Sequence, residues 1–251
     1  VGIFDQGTAL TVWTQSTTSN PIDSALWVSE YDGNAWSTAA ILSGPSSNSV
    51  RYPQLAINKS GSAIVVFQGD LDLLSPTPGD EIFASVYHGE SGAWSSPVRL
   101  DSDSTPCTQP TVALNETGDA VVAWIEESDP THSSIFGLIY DGTTGTWLTP
   151  PQKLDVATKS VRNVTVSIDS SGNASAVWSQ LISGVRYYIS TARYKAETTT
   201  PGWGDPLNLS QGTDDDADLP QIVVNHRNEL LTIWQEDNPS KTLGINFSQL
   251  Q

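Results

Sequence analysis

The 251-residue sequence predicts an all-β fold built from five copies of one four-stranded unit, and three observations predict it. Apolar segments ending in an aromatic, Leu10–Trp13, Ile64–Phe67, Val121–Trp124, Ser175–Trp178 and Leu231–Trp234, recur at intervals of about 55 residues. Six residues before each aromatic stands Gly7, Gly61, Gly118, Gly172 or Asn228, the residue types that most readily accept positive φ. A second tryptophan series, Trp36, Trp94, Trp147 and Trp203, runs in step with the first. The approximate repeats are 1–50, 51–107, 108–161, 162–217 and 218–251, all within a single domain spanning 1–251.

Each unit reads as four short strands. The first is apolar and opens near a proline, as in Pro53–Ile57, Pro110–Leu114 and Pro220–Val224. It turns through Asn58–Gly61, Asn115–Gly118 or Asp169–Gly172, where an Asx side chain bonds its own backbone and glycine takes the left-handed step of a tight hairpin. The second strand ends at the aromatic of the first series. A third ends at Tyr31, Tyr87, Tyr140, Tyr194 or Leu250, and a fourth starts at the second tryptophan and runs through Pro97–Leu100 or its counterparts. No segment carries the 3.6-residue apolar period of a helix.

Units of this size cannot bury both faces alone, so five of them describe a five-bladed β-propeller whose blades stack around an axis and leave only short edges. The pattern Pro-x-x-apolar-x-Asx-x-x-Gly-x-apolar, followed by a Trp-x-x-Pro strand, resembles the blades of the broad propeller superfamily over the whole chain. That resemblance implies architecture and not activity. Neither the Asp-box of sialidases nor a repeated Trp-Asp pairing is present. Val1–Phe4 reads as a clipped first strand, and the last blade is incomplete because the fifth copy stops after its third strand.

Composition narrows the function. The 11 Lys and Arg against 28 Asp and Glu leave a net charge of -17, which repels phosphate backbones and anionic bilayers. No apolar run approaches the roughly 18 to 20 residues of a membrane-spanning helix, so neither nucleic-acid binding nor membrane insertion is expected. Cys107 stands alone, and a monomer stabilised by packing is expected. Six Asn-x-Ser/Thr sequons, at Asn58, Asn115, Asn163, Asn173, Asn208 and Asn246, accompany a Ser/Thr-rich chain. The turn chemistry itself accounts for those at Asn58 and Asn115.

Variable loops on a rigid scaffold are the usual place for a site. The loops from strand two to three and from strand four to the next strand one share one face, and most of the acids fall on it. Within that face, Asp214, Asp215, Asp216 and Asp218 are the candidate Ca²⁺ ligands, because hard cations favour several carboxylate oxygens on one loop. At the channel mouth, Arg51, Tyr52, Gln109, Arg162, Asn163 and Asp218 are the candidate ligand-binding residues; they differ from blade to blade, which points to one asymmetric site. The inner strands carry no carboxylate, and His88, His132 and His226 fall in three separate turns. These features lead to the expectation of a secreted, cell-surface or periplasmic, non-catalytic module that recognises a glycan or protein through its acidic face. The alternatives are a glycoside hydrolase or lyase using Glu126, Glu236 and rim residues, and a structural module of a larger surface protein.

Overall fold

The computed structural model describes residues 1–16, 24–43, 48–70, 80–102, 104–156, 159–183, 186–196, 199–210, 216–237 and 243–250. They form five antiparallel sheets in which sequential strands are neighbours. The first holds β1 (Gly2–Ile3), β2 (Ala9–Ser16), β3 (Ser24–Tyr31) and β4 (Ala40–Ile41). The second holds β5 (Asn48–Ile57), β6 (Ala63–Asp70), β7 (Glu81–His88), β8 (Ala93–Trp94) and β9 (Val98–Arg99). The third holds β10 (Cys107–Leu114), β11 (Ala120–Asp129), β12 (His132–Asp141), β13 (Thr146–Trp147) and β14 (Gln152–Lys153). The fourth holds β15 (Val161–Ile168), β16 (Ala174–Ser183), β17 (Arg186–Lys195), β18 (Gly202–Trp203) and β19 (Leu207–Asn208), and the fifth β20 (Asp216–Val224), β21 (Leu230–Asp237) and β22 (Leu243–Leu250). This is the all-β propeller arrangement the repeats predict.

The fourth strand is broken into two pieces, as in β8 and β9, which both pair with β7. Pro97 lies between them, and proline cannot donate a ladder hydrogen bond. The tryptophans of the second series sit directly opposite the tyrosines that end the third strand. Their rings pair at 5.4 Å for Tyr31 and Trp36, 5.2 Å for Tyr87 and Trp94, 4.9 Å for Tyr140 and Trp147, and 5.8 Å for Tyr194 and Trp203. These pairs clip the short outer strand to its sheet.

The core lies between blades. Trp124 stands among Ile64, Val66, Ala84 and Leu138 where the second sheet meets the third, and Trp178 among Val121, Ala123, Ile135 and Ile139 where the third meets the fourth. Clusters also join the first sheet to the second and the fourth to the fifth; among the described residues none joins the fifth to the first.

At the end of the channel opposite the variable loops, the inner hairpins of the second and third blades turn on an Asn that also reaches the next blade. Asn58 Oδ1 accepts the Ser62 N–H at 2.9 Å, while its Nδ2 donates to the carbonyl of Asn115 at 2.9 Å. Asn115 repeats both contacts, with Asp119 N–H at 2.9 Å and the carbonyl of Asp169 at 2.9 Å. Asp169 has no amide to continue the chain, and Ser170 Oγ bridges to Asn228 Oδ1 at 2.9 Å instead. Asn58 and Asn115 are buried, their side chains engaged in the turn and the next blade.

Gly118 holds φ at +93°, and a Cβ on Gly142 would lie 2.3 Å from the Gly118 carbonyl carbon. Gly118→Val should cost about 1 to 3 kcal/mol, and Gly142→Ala should also lower the melting temperature, because backbone, not a flexible side chain, must move. Thermal melts of both variants check this.

A polar residue closes the outer end of each of the first four sheets. The side-chain oxygens of Ser43, Asp101, Asp155 and Ser210 accept the N–H groups of Leu26, Ile82, Ile135 and Ile189 at 3.0, 2.8, 2.8 and 3.0 Å. Burial pushes the Asp155 carboxyl above the ordinary 3.8, against the opposing pull of the Ile135 N–H and Lys153. Asp155→Asn keeps the acceptor and removes the buried charge, so it should match or exceed wild-type stability at neutral pH. Asp155→Ala, which strands the N–H, should lose about 1 to 3 kcal/mol. Because the folded pKa is raised, the folded state binds more protons, and this group's contribution falls as pH rises through the interval above 3.8. Melting curves against pH should show that fall in the wild type and not in Asp155→Asn.

Candidate functional site

Every inner strand from the second blade onward carries an irregular step at the same height, and β5 carries a second between Asn48 and Arg51. The ladder slips between Arg51 and Gln54, Thr108 and Thr111, Arg162 and Thr165, and Asp218 and Gln221. At each slip a non-glycine residue holds positive φ: Tyr52 at 51°, Gln109 at 52°, Asn163 at 55° and Leu219 at 52°. Such residues are uncommon and costly, and a bulge that holds them re-aims a side chain out of the regular alternation.

The four bulges converge on one cavity of about 330 Å³. Tyr52 and Gln54 come from β5; Gln109, Pro110 and Thr111 from β10; Asn163, Val164 and Thr165 from β15; and Leu219, Pro220 and Gln221 from β20. Among the described residues no charged side chain lines it; its walls are amides, hydroxyls, the apolar Pro110, Val164, Leu219 and Pro220, and the Tyr52 ring, which is 56% exposed. Tyr52, Gln109 and Asn163 are therefore brought together. They lie within the inner strands, at the bulges, and not before them. Leu219, Gln54, Thr111, Thr165 and Gln221 complete the wall; the signal for Leu219 is its place one residue before Pro220, matching Tyr52 before Pro53 and Gln109 before Pro110.

A charged cluster stands beside this cavity between the fourth and fifth blades. Asp218 accepts hydrogen bonds from Asn163 Nδ2 at 2.7 Å, Ser179 Oγ at 2.8 Å and Arg162 Nε at 3.1 Å. Arg162 Nη2 pairs with Asp218 Oδ2 at 2.7 Å and with Asp216 Oδ2 at 3.8 Å, so those two oxygens stand no farther apart than the sum, 6.5 Å. The guanidinium lies 3.6 Å above the Tyr187 ring, and Asp216 Oδ1 accepts the Tyr187 N–H at 2.6 Å. Burial alone would raise the Asp218 pKa, but the bonds from Ser179 and Asn163 and the charge of Arg162 outweigh it and hold the carboxyl below its ordinary 3.8. Arg51 pairs with Asp80 on the rim of the second blade.

Because its folded pKa is depressed, Asp218 contributes stability that is present above 3.8 and lost as pH falls through the folded value. Asp218→Asn should show a shallower loss of melting temperature on acidification than the wild type.

Several of the acids expected to form a cation-attracting face are engaged within the fold. Glu81 and Asp101 are buried around Arg99, Asp155 is buried beneath Ile135, and Asp216 and Asp218 face Arg162. Of the candidate Ca²⁺ ligands, Asp214 and Asp215 lie outside the described residues. Among the described residues, no group of three or more acidic, histidine or cysteine side chains gathers. His88, His132 and His226 are exposed, and His132 pairs with Asp129 at 2.7 Å. Glu126 lies opposite Cys107 and Glu236 opposite Ala217. They occupy the step at which Gln15 and Gln180 accept the indole N–H of Trp13 and Trp178 at 3.1 Å, and neither lines the cavity.

No protein-family model and no curated protein matches the chain. Among solved structures it is similar to a Dyadobacter fermentans protein of unknown function, at 14% identity and a TM-score of 0.59, over 99% of this chain and 77% of that one. It is similar to the Hadza microbial sialidase Hz136, at 13% identity and 0.56, over 98% of this chain and 54% of the sialidase. A third likeness is to Penicillium chrysogenum α-L-arabinanase complexed with arabinobiose, at 14% identity and 0.53, over 98% of this chain and 73% of that one. The chain thus spans about half the sialidase and roughly three quarters of the other two. At these identities the likeness shows the shared fold, the β-propeller.

The expectation of a non-catalytic module binding through an acidic face is overturned. Both of these neighbours with a stated activity are carbohydrate-active enzymes. The acids that motivated the expectation are tied into the scaffold by Arg99, Arg162 and backbone N–H groups.

Proposed function

We propose that the chain is the propeller of a secreted or surface-exposed carbohydrate-active enzyme, of the glycoside hydrolase or lyase kind, holding a sugar chain across the channel mouth. The observation that carries this reading is the convergence of four strained, non-glycine residues on one cavity that presents amides, hydroxyls and an exposed tyrosine ring among apolar residues. Backbone strain of this kind persists where the surroundings over-determine it and concentrates at functional sites. Amide and hydroxyl groups match sugar hydroxyls, and the Tyr52 ring offers a flat apolar face to the C–H side of a ring. The arabinobiose bound by the arabinanase neighbour supports a sugar of this class as ligand.

Hydrolysis of a glycosidic bond requires two carboxyl groups about 5 to 9.5 Å apart. Asp216 and Asp218 are the pair assigned to this work, both partly open to solvent and both facing Arg162 Nη2, at 3.8 and 2.7 Å. Asp218, kept ionised by Arg162, Ser179 and Asn163, takes the part of nucleophile or base, and Asp216 that of its partner. Arg162 positions both.

The test is a reducing-sugar assay on arabinan, xylan, galactan and a uronate polymer. Turnover of one of these should fall by about 10²- to 10⁴-fold in Asp218→Asn, and Tyr52→Ala should raise KM more than it lowers kcat. Turnover that survives Asp218→Asn, or no turnover on any of the four, overturns the assignment.

A further inference from the structure

Each joint between neighbouring blades is built the same way. The forward face of one sheet presents the residues three and one before the second-strand aromatic. The rear face of the next presents those four and two before it, together with the aromatic itself. Ile64 and Val66 thus meet Ala120, Val122 and Trp124, and Val121 and Ala123 meet Ala174, Ala176 and Trp178. All ten of these side chains are essentially buried.

In the fifth sheet the forward positions are Leu231 and Ile233, beside Val223 on β20, and they are 43%, 41% and 60% exposed. In the first sheet the rear face is partly open: Ala9 is buried, but Ile3 is 72% and Trp36 49% exposed, and Trp13 is partly exposed where Phe67, Trp124 and Trp178 are sealed. These are interior residue types at interior positions of the repeat, left in water on two faces that are the two complementary halves of one joint.

We infer that one further blade of this same repeat seats between the fifth sheet and the first. The occupant is defined by the four joints already present. Its rear face carries small residues and one aromatic against Leu231 and Ile233, and its forward face carries aliphatic or small residues, as Val121 with Ala123 and Ser175 with Val177 do, against Trp13. Such a blade turns two solvated apolar faces into two joints of the kind that seal Trp124 and Trp178.

The experiment joins a second copy of residues 142–196 after Gln251. In repeat register this segment continues from β22, so it supplies a fourth strand for the fifth sheet and then a three-stranded sixth blade. The extended protein should be monomeric, melt about 10 °C above the 251-residue chain, and show slowed hydrogen exchange along β20 and β21. The double substitution Leu231→Asp with Ile233→Asp should leave the melting temperature of the unextended chain almost unchanged and abolish the gain in the extended one.

Three results overturn the inference. In the first, the double variant strongly destabilises the monomeric unextended chain, which means the first sheet already covers these residues. In the second, sedimentation finds head-to-tail oligomers of the unextended chain that the variant disperses, which makes a second copy the occupant. In the third, the appended segment is digested by protease with no gain in melting temperature.

Discussion

The amide contacts between inner turns are the constraint on which the rest of the architecture depends. Asn58 and Asn115 each hold their own hairpin with the side-chain oxygen and the next blade with the side-chain nitrogen. A single residue type therefore fixes both the turn and the height at which the next inner strand ends. Tyr52, Gln109, Asn163 and Leu219 each stand six residues before the Asx of their own blade, at Asn58, Asn115, Asp169 and Asn225. Anchoring the turns at one end of the channel sets the bulges at a common level at the other. A cavity assembled from four strands follows from contacts made a full strand length away.

Packing between blades supplies the stability that this registration steers. Alternation along each second strand sends the aromatic to one side and residues such as Ile64, Val66 and Val177 to the other, so the two faces of a joint interlock, as a close-packed interior requires. Some polar groups inside this stack have defined partners, while the indole N–H of Trp124 and the hydroxyl of Thr232 are buried without a hydrogen bond. Thr108 Oγ1 donates to Gln68 Oε1 at 3.1 Å between the second and third blades, and Ser179 reaches Asp218 between the fourth and fifth. Charge is used sparingly and mostly in pairs, with Arg99 between Glu81 and Asp101 and Arg162 between Asp216 and Asp218.

Much of this is legible in the amino-acid order, because the repeat imposes the same physics several times. Gly118 and its counterparts mark left-handed steps, and Trp124 and Trp178 mark the joints, as their recurrence foretells. The site is legible only in part. Tyr52, Gln109 and Asn163 stand out as rim residues that differ between blades. Leu219 does not, since an apolar residue beside a proline reads as ordinary strand until the bulge turns it outward. Asp101 and Asp155 read as surface acids because one-dimensional order does not reveal that their carboxylates cap the buried N–H groups of Ile82 and Ile135. Nor does it reveal the open faces: Leu231 and Ile233 look like Val121 and Ala123, and only the absence of a neighbour separates them.

The divided outer strand carries a consequence for solubility. In the second, third and fourth sheets the perimeter offers two-residue pieces interrupted near a proline, too short and too broken to template strand addition by another chain. The fifth sheet instead ends, among the described residues, on β22, an unbroken eight-residue strand with one side of its backbone ladder unpaired. If these molecules coalesce on storage or heating, growth should begin along that flank.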